Sequence, residues 1–223
     1  MKVLFCLLTS FFSIHAFAQE NKLELIKSRV ANENDFVYSN TINEIIEGEK
    51  WGFHSGKIGI PYASSSLANQ GSNNYTINNI FDLDLRTAWI EGDSNDGIGH
   101  FISFEFDFSE KYNGFGKPYN FYGIIEVFNG YCKSEKHWKE NSRVKQLQVS
   151  LNEKPICLIE LEDTWQYQRV DIRKFFKDNY YFPDAPYVIS HGDVIAFRIM
   201  EIYEGDKYKD TAISEFVYDS PPN

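Results

Sequence analysis

Short runs in which apolar and polar residues alternate dominate the chain from Pro61 onward. The clearest covers Phe101 to Phe108, where Ile102, Phe104, Phe106 and Phe108 alternate with Ser103, Glu105 and Asp107. A period of two sends successive side chains to opposite faces, so this run predicts a strand with one apolar and one wet face. Leu147, Val149 and Leu151 repeat the device against Gln146, Gln148 and Ser150. Further strands are predicted at Gly123–Phe128, Ile156–Leu161, Tyr167–Ile172, Asp193–Ile202 and Ile213–Tyr218. Polar, Gly- and Asn-rich segments separate them, and helix-period stretches of useful length are absent. So many short strands predict an all-β sandwich or jelly roll.

The first eighteen residues read differently. Lys2 precedes an apolar run from Val3 to Ile14, and Ala16-Phe17-Ala18 ends it before Gln19. This is the pattern of a signal peptide cleaved near Ala18, which predicts an exported protein. The run is too short for the roughly 20 apolar residues of a membrane span, and no later stretch approaches that length, so no transmembrane anchor is expected. Residues 19–60 form an N-terminal extension in which Asn21–Val30 predicts a helical turn or two. Residues 61–219 then make one β domain. Its connections at 109–122, 131–143 and 173–192 are long for simple hairpins and rich in aromatic and charged residues, the kind of loop that binds ligands on a rigid sandwich.

Composition narrows the function. A formal charge of -10 opposes a nucleic-acid partner, which needs clustered Lys and Arg to release counterions. Beyond the leader only Cys132 and Cys157 remain, either paired in an oxidising compartment or buried as free thiols. His54, His100, His137 and His191 are scattered singly, without zinc-ligand spacing. A nucleophile elbow and a phosphate-binding Gly-Lys-Ser/Thr loop are both missing, so acyl- and phosphoryl-transfer enzymes find no support. Glu91 with Asp93 or Asp96 leaves a glycosidase as the one catalytic alternative, because that chemistry needs only two acids at the right separation.

Two clusters carry the remaining chemistry. Asp82, Asp84 and Thr87 offer the hard oxygen donors that calcium prefers, or else cap the backbone of a turn. Trp89, Tyr131, Trp138 and Tyr203 stand beside Glu91, Lys133, Asn141, Arg143 and Lys207. That mixture suits a sugar, whose C–H face packs on a ring while its hydroxyls meet fixed polar partners.

Several ordered segments add a resemblance. Ala63-Ser64-Ser65, Asn79-Ile80-Phe81-Asp82-Leu83-Asp84, Thr87-Ala88-Trp89-Ile90-Glu91-Gly92 and Gly97-Ile98-Gly99 resemble the opening of a discoidin, or coagulation factor five/eight type C, domain. Asn129-Gly130-Tyr131-Cys132-Lys133-Ser134, Asn141-Ser142-Arg143-Val144-Lys145, Leu161-Glu162-Asp163 and the run from Ile202 to Glu215 are similar to one subgroup. That subgroup is the NADase-type glycan-binding domain, the translocation domain of NAD glycohydrolase toxins. The resemblance implies a galactose-binding-like (discoidin-like) jelly-roll β-sandwich with a short N-terminal extension. It also implies a structural calcium at Asp82, Asp84, Thr87 and Glu215. NAD cleavage belongs to a separate catalytic domain of those toxins, so none is expected here.

The combined reading is an exported, non-catalytic module for a glycan or glycoconjugate. Its ligand-binding residues are Trp89, Glu91, Tyr131, Lys133, Asn141, Arg143, Tyr203 and Lys207, and it uses no organic cofactor. The alternative is a periplasmic or cell-surface module of the same fold that binds a protein partner.

Overall fold

A computed structural model describes residues 22–32, 59–108, 121, 123–177 and 182–218. The leader, His54, most of the 19–60 extension and most of the 109–122 connection lie outside the described residues. The described strands are β1 (Glu24–Lys27), β2 (Arg29–Val30), β3 (Gly59–Ala63), β4 (Trp89–Ile90), β5 (Phe101–Phe106) and β6 (Ile124–Asn129). They continue with β7 (Ser142–Leu151), β8 (Lys154–Glu160), β9 (Gln168–Asp171), β10 (Val194–Tyr203) and β11 (Thr211–Val217).

These strands pair into one continuous sheet that doubles back on itself as a two-layered β-sandwich. One layer runs β1-β8-β7-β10-β5-β3, and the other contains β2-β9-β6-β11-β4. The layers join where the start of β11 runs beside the start of β7, through the parallel pairs Thr211–Ser142 and Ala212–Arg143. Alternation explains which side chains meet between them. Ile102, Phe104 and Phe106 of β5, Leu147 and Val149 of β7, and Ile195, Phe197 and Ile199 of β10 all point inward. They meet Ile125 and Val127 of β6, Val170 of β9 and Phe216 of β11. Phe104 stacks on Tyr218 at 4.0 Å between ring centroids, and Phe197 meets Phe216 edge-on at 4.9 Å. Such ring pairs add roughly 0.5–1.5 kcal/mol each beyond the area they bury.

β7 and β8 form a hairpin whose two-residue turn, Asn152-Glu153, has both residues at positive φ (49° and 67°). Turns of that hand match the twist of the strands they connect. The strands predicted between Phe101 and Tyr218 are all present, with their ends shifted by a few residues.

The described part of the N-terminal segment differs from the expectation. Instead of a helical turn it supplies two strands: β1 pairs in parallel with β8, and β2 pairs antiparallel with β9. Ser28 is the one-residue corner between them. Its hydroxyl donates to Gln168 Oε1 at 2.8 Å and accepts from the Glu162 amide at 3.1 Å. This short piece therefore edges both layers, and tertiary pairing has overridden a local leaning toward helix. A second difference is α1 (Glu135–Glu140), a short helix inside the predicted 131–143 loop. Ser134 caps it by accepting from the His137 amide, and a Glu135–Lys139 ion pair of 2.7 Å braces it.

Candidate functional site

The predicted glycan cluster gathers at one end of the sandwich, where β7 and β11 begin and β10 ends. Most of its members support that end from within. Trp89 is fully buried as part of the core, with Nε1 donating to the Ser65 carbonyl at 3.0 Å. Tyr131 is nearly buried, and its hydroxyl donates to the Arg86 carbonyl at 3.1 Å. Asn141 closes α1 by donating from Nδ2 to the His137 carbonyl at 2.8 Å. Tyr203 is half-buried and bonds the Leu161 carbonyl at 3.0 Å.

Arg143 is the hub. It donates to both oxygens of Asp163 at 2.9 and 3.2 Å, and to the carbonyls of Trp138 and Asn141 at 3.3 and 3.0 Å. Its guanidinium also lies 4.4 Å over the Trp138 ring. Arg143 thus draws Trp138, Asn141 and Asp163 together, and Trp89, Tyr131, Asn141 and Arg143 face inward rather than toward solvent. Gly130 makes the packing possible: its φ is 95°, and a Cβ there would sit 2.7 Å from both Arg143 and Trp138.

Glu91 is also closed off. It is fully buried, Oε2 accepts from the Asp93 amide at 2.8 Å, and Oε1 has no hydrogen-bond partner. Burial raises its pKa above the ordinary glutamate value. Asp93 turns outward to His100 Nε2 at 3.2 Å, and that contact lowers the aspartate's pKa. Ser64 Oγ accepts from the Phe101 amide and lies 3.0 Å from His100 Nδ1. Asp96 accepts from the Ile98 amide at 3.2 Å. Glu91 is thus enclosed within its own loop, while Asp93 and Asp96 turn to His100 and to the Ile98 amide.

The four calcium candidates meet at the junction of the Asp82–Thr87 loop with β11. The Asp84 amide lies within hydrogen-bond reach of both Asp82 Oδ1, at 3.0 Å, and Glu215 Oε1, at 2.9 Å. The Thr87 hydroxyl donates to Asp82 Oδ2 at 2.8 Å. The Asp84 carboxylate instead receives Arg86, through Nε at 2.7 Å and Nη2 at 2.6 Å. Burial and the facing Asp82 carboxylate push the pKa of Glu215 up to about 9, and Glu215 Oε2 is buried without a partner. An all-oxygen set with one orphaned carboxylate atom fits a hard divalent cation. Among the described residues no three acidic, histidine or cysteine side chains group as a metal site. A cation here would therefore rest on Asp82, Glu215 and the Thr87 hydroxyl, with the Asp84 side chain left to Arg86.

Cys132 and Cys157 are free, buried thiols whose pKa values burial pushes to about 12.

On the outside of this end, a groove of about 650 Å³ is lined by Glu135, Lys136, Lys139, Glu140, Asp206 and Lys207. The amides of Asp206, Lys207 and Tyr208 donate to the Lys139 and Glu140 carbonyls, so the last turn of α1 is satisfied by the segment beside it. Gly205 permits this approach, since a Cβ there would lie 2.4 Å from the Asn141 backbone. Lys133 and Lys207 are exposed. Tyr208 is 42% exposed, and Lys207 Nζ lies 4.6 Å from its ring centroid. The prediction missed Tyr208, although it is the one aromatic within the polar run from Glu204 to Asp210.

A family model described as the NAD glycohydrolase translocation F5/8 type C domain matches residues 53–219. No curated protein matches the chain in sequence. Among solved structures, the chain is similar to the paired CBM32 domains of Clostridium perfringens ZmpB in complex with GalNAc. The identity is 9%, with 92% of this chain and 42% of that chain covered, at a TM-score of 0.49. It is also similar to the arabinofuranosyltransferase AftD from Mycobacteria, at 14% identity over 71% of this chain and 10% of that one, with a TM-score of 0.41. The chain thus spans under half of either protein's length. No helix among the described residues is long and apolar enough to cross a membrane.

Proposed function

The chain belongs to the NAD glycohydrolase translocation F5/8 type C domain family, and from that footing we propose that it is an exported, non-catalytic glycan-binding module. One observation carries the reading: Asp206–Tyr208 is bonded to the last carbonyls of α1 while the Tyr208 ring stays open to solvent beside Lys207. A sugar needs a ring face to pack on and polar groups already fixed around it, because ordering them at the moment of binding costs affinity. Tyr208 is the ring. Lys207, Lys139 and Asp206 are the polar groups, and Lys133 and Tyr203 lie at the same end. Trp89, Glu91, Tyr131, Asn141 and Arg143 act from behind as positioning residues.

The calcium belongs to the same proposal. Held by Asp82, Thr87 and Glu215, it would tie the loop before β4 to β11 and neutralise two carboxylates that burial forces together. Its chemistry is structural rather than catalytic.

The test is glycan-array binding of the protein from Gln19 onward, with calcium and with a chelator. Binding that Tyr208→Ala and Lys207→Ala abolish supports the reading. A blank array from the folded protein overturns it and leaves a protein-interaction module of the same fold.

A further inference from the structure

A second surface lies away from that end, on the outer face of the layer formed by β7, β10, β5 and β3. Its shape follows from register. Ala196 of β10 pairs with Ser103 of β5 on one side and Ser150 of β7 on the other. Three small side chains therefore line up across the strands. In the next row Arg198 stands between Phe101 and Gln148, and its guanidinium lies 5.0 Å from the Phe101 ring centroid. On the far side Val194 and the Asn152-Glu153 turn rise again. Larger side chains on either side of a floor of Ser and Ala make a furrow of about 650 Å³. Beyond its β5 side, on β3, Tyr62 pairs with Ser103. Tyr62 is 56% exposed, and its ring centroid is 5.9 Å from that of Phe101.

We infer that this furrow is a separate binding site for an internal stretch of a linear, neutral glycan. Strands lie roughly 4.8 Å apart, so a furrow from β7 across β10 to β5 runs on the order of 10 Å, longer than one sugar ring. Among the described residues, the Ser103, Gln148 and Ser150 side chains have no protein hydrogen-bond partner. They stand on strands bonded to their neighbours on both sides, so the backbone has little to offer an added peptide strand. A ligand here must bring its own donors and acceptors along its whole length. A chain of hydroxyl-bearing rings does so, and it gains the exposed Tyr62 ring on β3 beside Phe101, whose face Arg198 shares. The charges oppose one another and do not form an anion pocket: Arg198 lies over Phe101 and donates to the Gly99 carbonyl, and Glu153 lies across the furrow. This site does not share its ligand contacts with the groove beside α1.

The experiment measures binding of gluco-, xylo- and manno-hexaoses and their monosaccharides by calorimetry, with amide chemical shifts recorded for the bound state. At least one hexaose binds, its monosaccharide does not, and the shifted amides centre on Ser103, Ser150 and Ala196. Phe101→Ala and Gln148→Ala each weaken the hexaose about tenfold, and Ala196→Leu, which fills the floor, removes binding. The amides of Asp206, Lys207 and Tyr208 do not shift with the hexaose. Gln148→Ala alters a half-exposed side chain without hydrogen bonds, so its result does not depend on folding. Equal affinity for monosaccharide and hexaose overturns the inference, as does insensitivity to both Phe101→Ala and Gln148→Ala, or no binding of any hexaose by the folded protein. If the glycan array is positive and the hexaoses are not bound, the α1 reading stands and the furrow does not.

Discussion

Arg143 and Asp163 are joined by two parallel hydrogen bonds of 2.9 and 3.2 Å, which ties the start of β7 to the loop between β8 and β9. The arginine is buried and the aspartate is 41% exposed, so the ion pair itself contributes little after solvent screening. The larger contribution is the pair of backbone carbonyls and the indole face that the guanidinium satisfies. Arg143→Ala is expected to cost roughly 1–3 kcal/mol in urea denaturation by stranding those groups. Arg143→Lys keeps the charge and loses the fork, so it recovers only part of that stability. Equal stability of Arg143→Ala and the parent protein removes the hub role.

Gly130→Ala places a methyl group against both Arg143 and Trp138 and asks alanine to hold a φ of 95°. The expected loss is on the order of 2 kcal/mol, from strain of about 1–3 kcal/mol at such a conformation. Chemical denaturation of this variant, with Gly71→Ala as a control whose added methyl meets open space, checks the steric part.

Calcium is expected to raise the melting temperature by several degrees. Saturation at about a hundred times Kd contributes roughly 2.7 kcal/mol, and each kcal/mol moves a domain of this size by about 2–4 °C. Glu215→Gln removes a metal ligand and a buried acid together, so the variant folds and melts at one temperature in calcium and in chelator. A parent protein whose melting point ignores both additions rules the cation out.

Cys132 and Cys157 keep their protons to about pH 12 when folded, against an ordinary thiol value of 9.0. As pH rises from the lower value toward the higher, the unfolded chain loses thiol protons that the folded chain retains. These thiols therefore lower stability progressively across that window and contribute nothing below it. At pH 8 a thiol reagent should label neither cysteine in the native protein and both after unfolding. Rapid native labelling contradicts their burial.

The strands were legible where one face is apolar and the other wet. Phe101–Phe106 and the Gln146–Leu151 half of β7 announce themselves because the core takes every second side chain there as an apolar one. β1 and β2 were not legible, since a four-residue and a two-residue edge strand owe their form to β8 and β9, far away in sequence. At the candidate site, the sequence identified residues that converge without distinguishing outward from inward. Trp89 sits on a two-residue strand, too short for any period, so only its pairing with Ile213 decides that the indole enters the core. Arg143 and Glu91 read as ligand groups because buried polar hubs use the same residue types as binding sites. Tyr208 carries no such signal in the sequence, because its exposure depends on how Gly205 lets the following segment lie on α1.

The Ser28 corner bears on the order of assembly. Glu24 lies opposite Cys157, and Arg29 lies opposite Arg169. A ribosome releases the amino end first, so this two-layer clasp leaves the tunnel early and waits, unpaired, until most of the chain has followed. Closing so long a loop is slow. The clasp is therefore a late step of folding, and loss of Ser28's hold on Gln168 and Glu162 would loosen an edge of both layers at once.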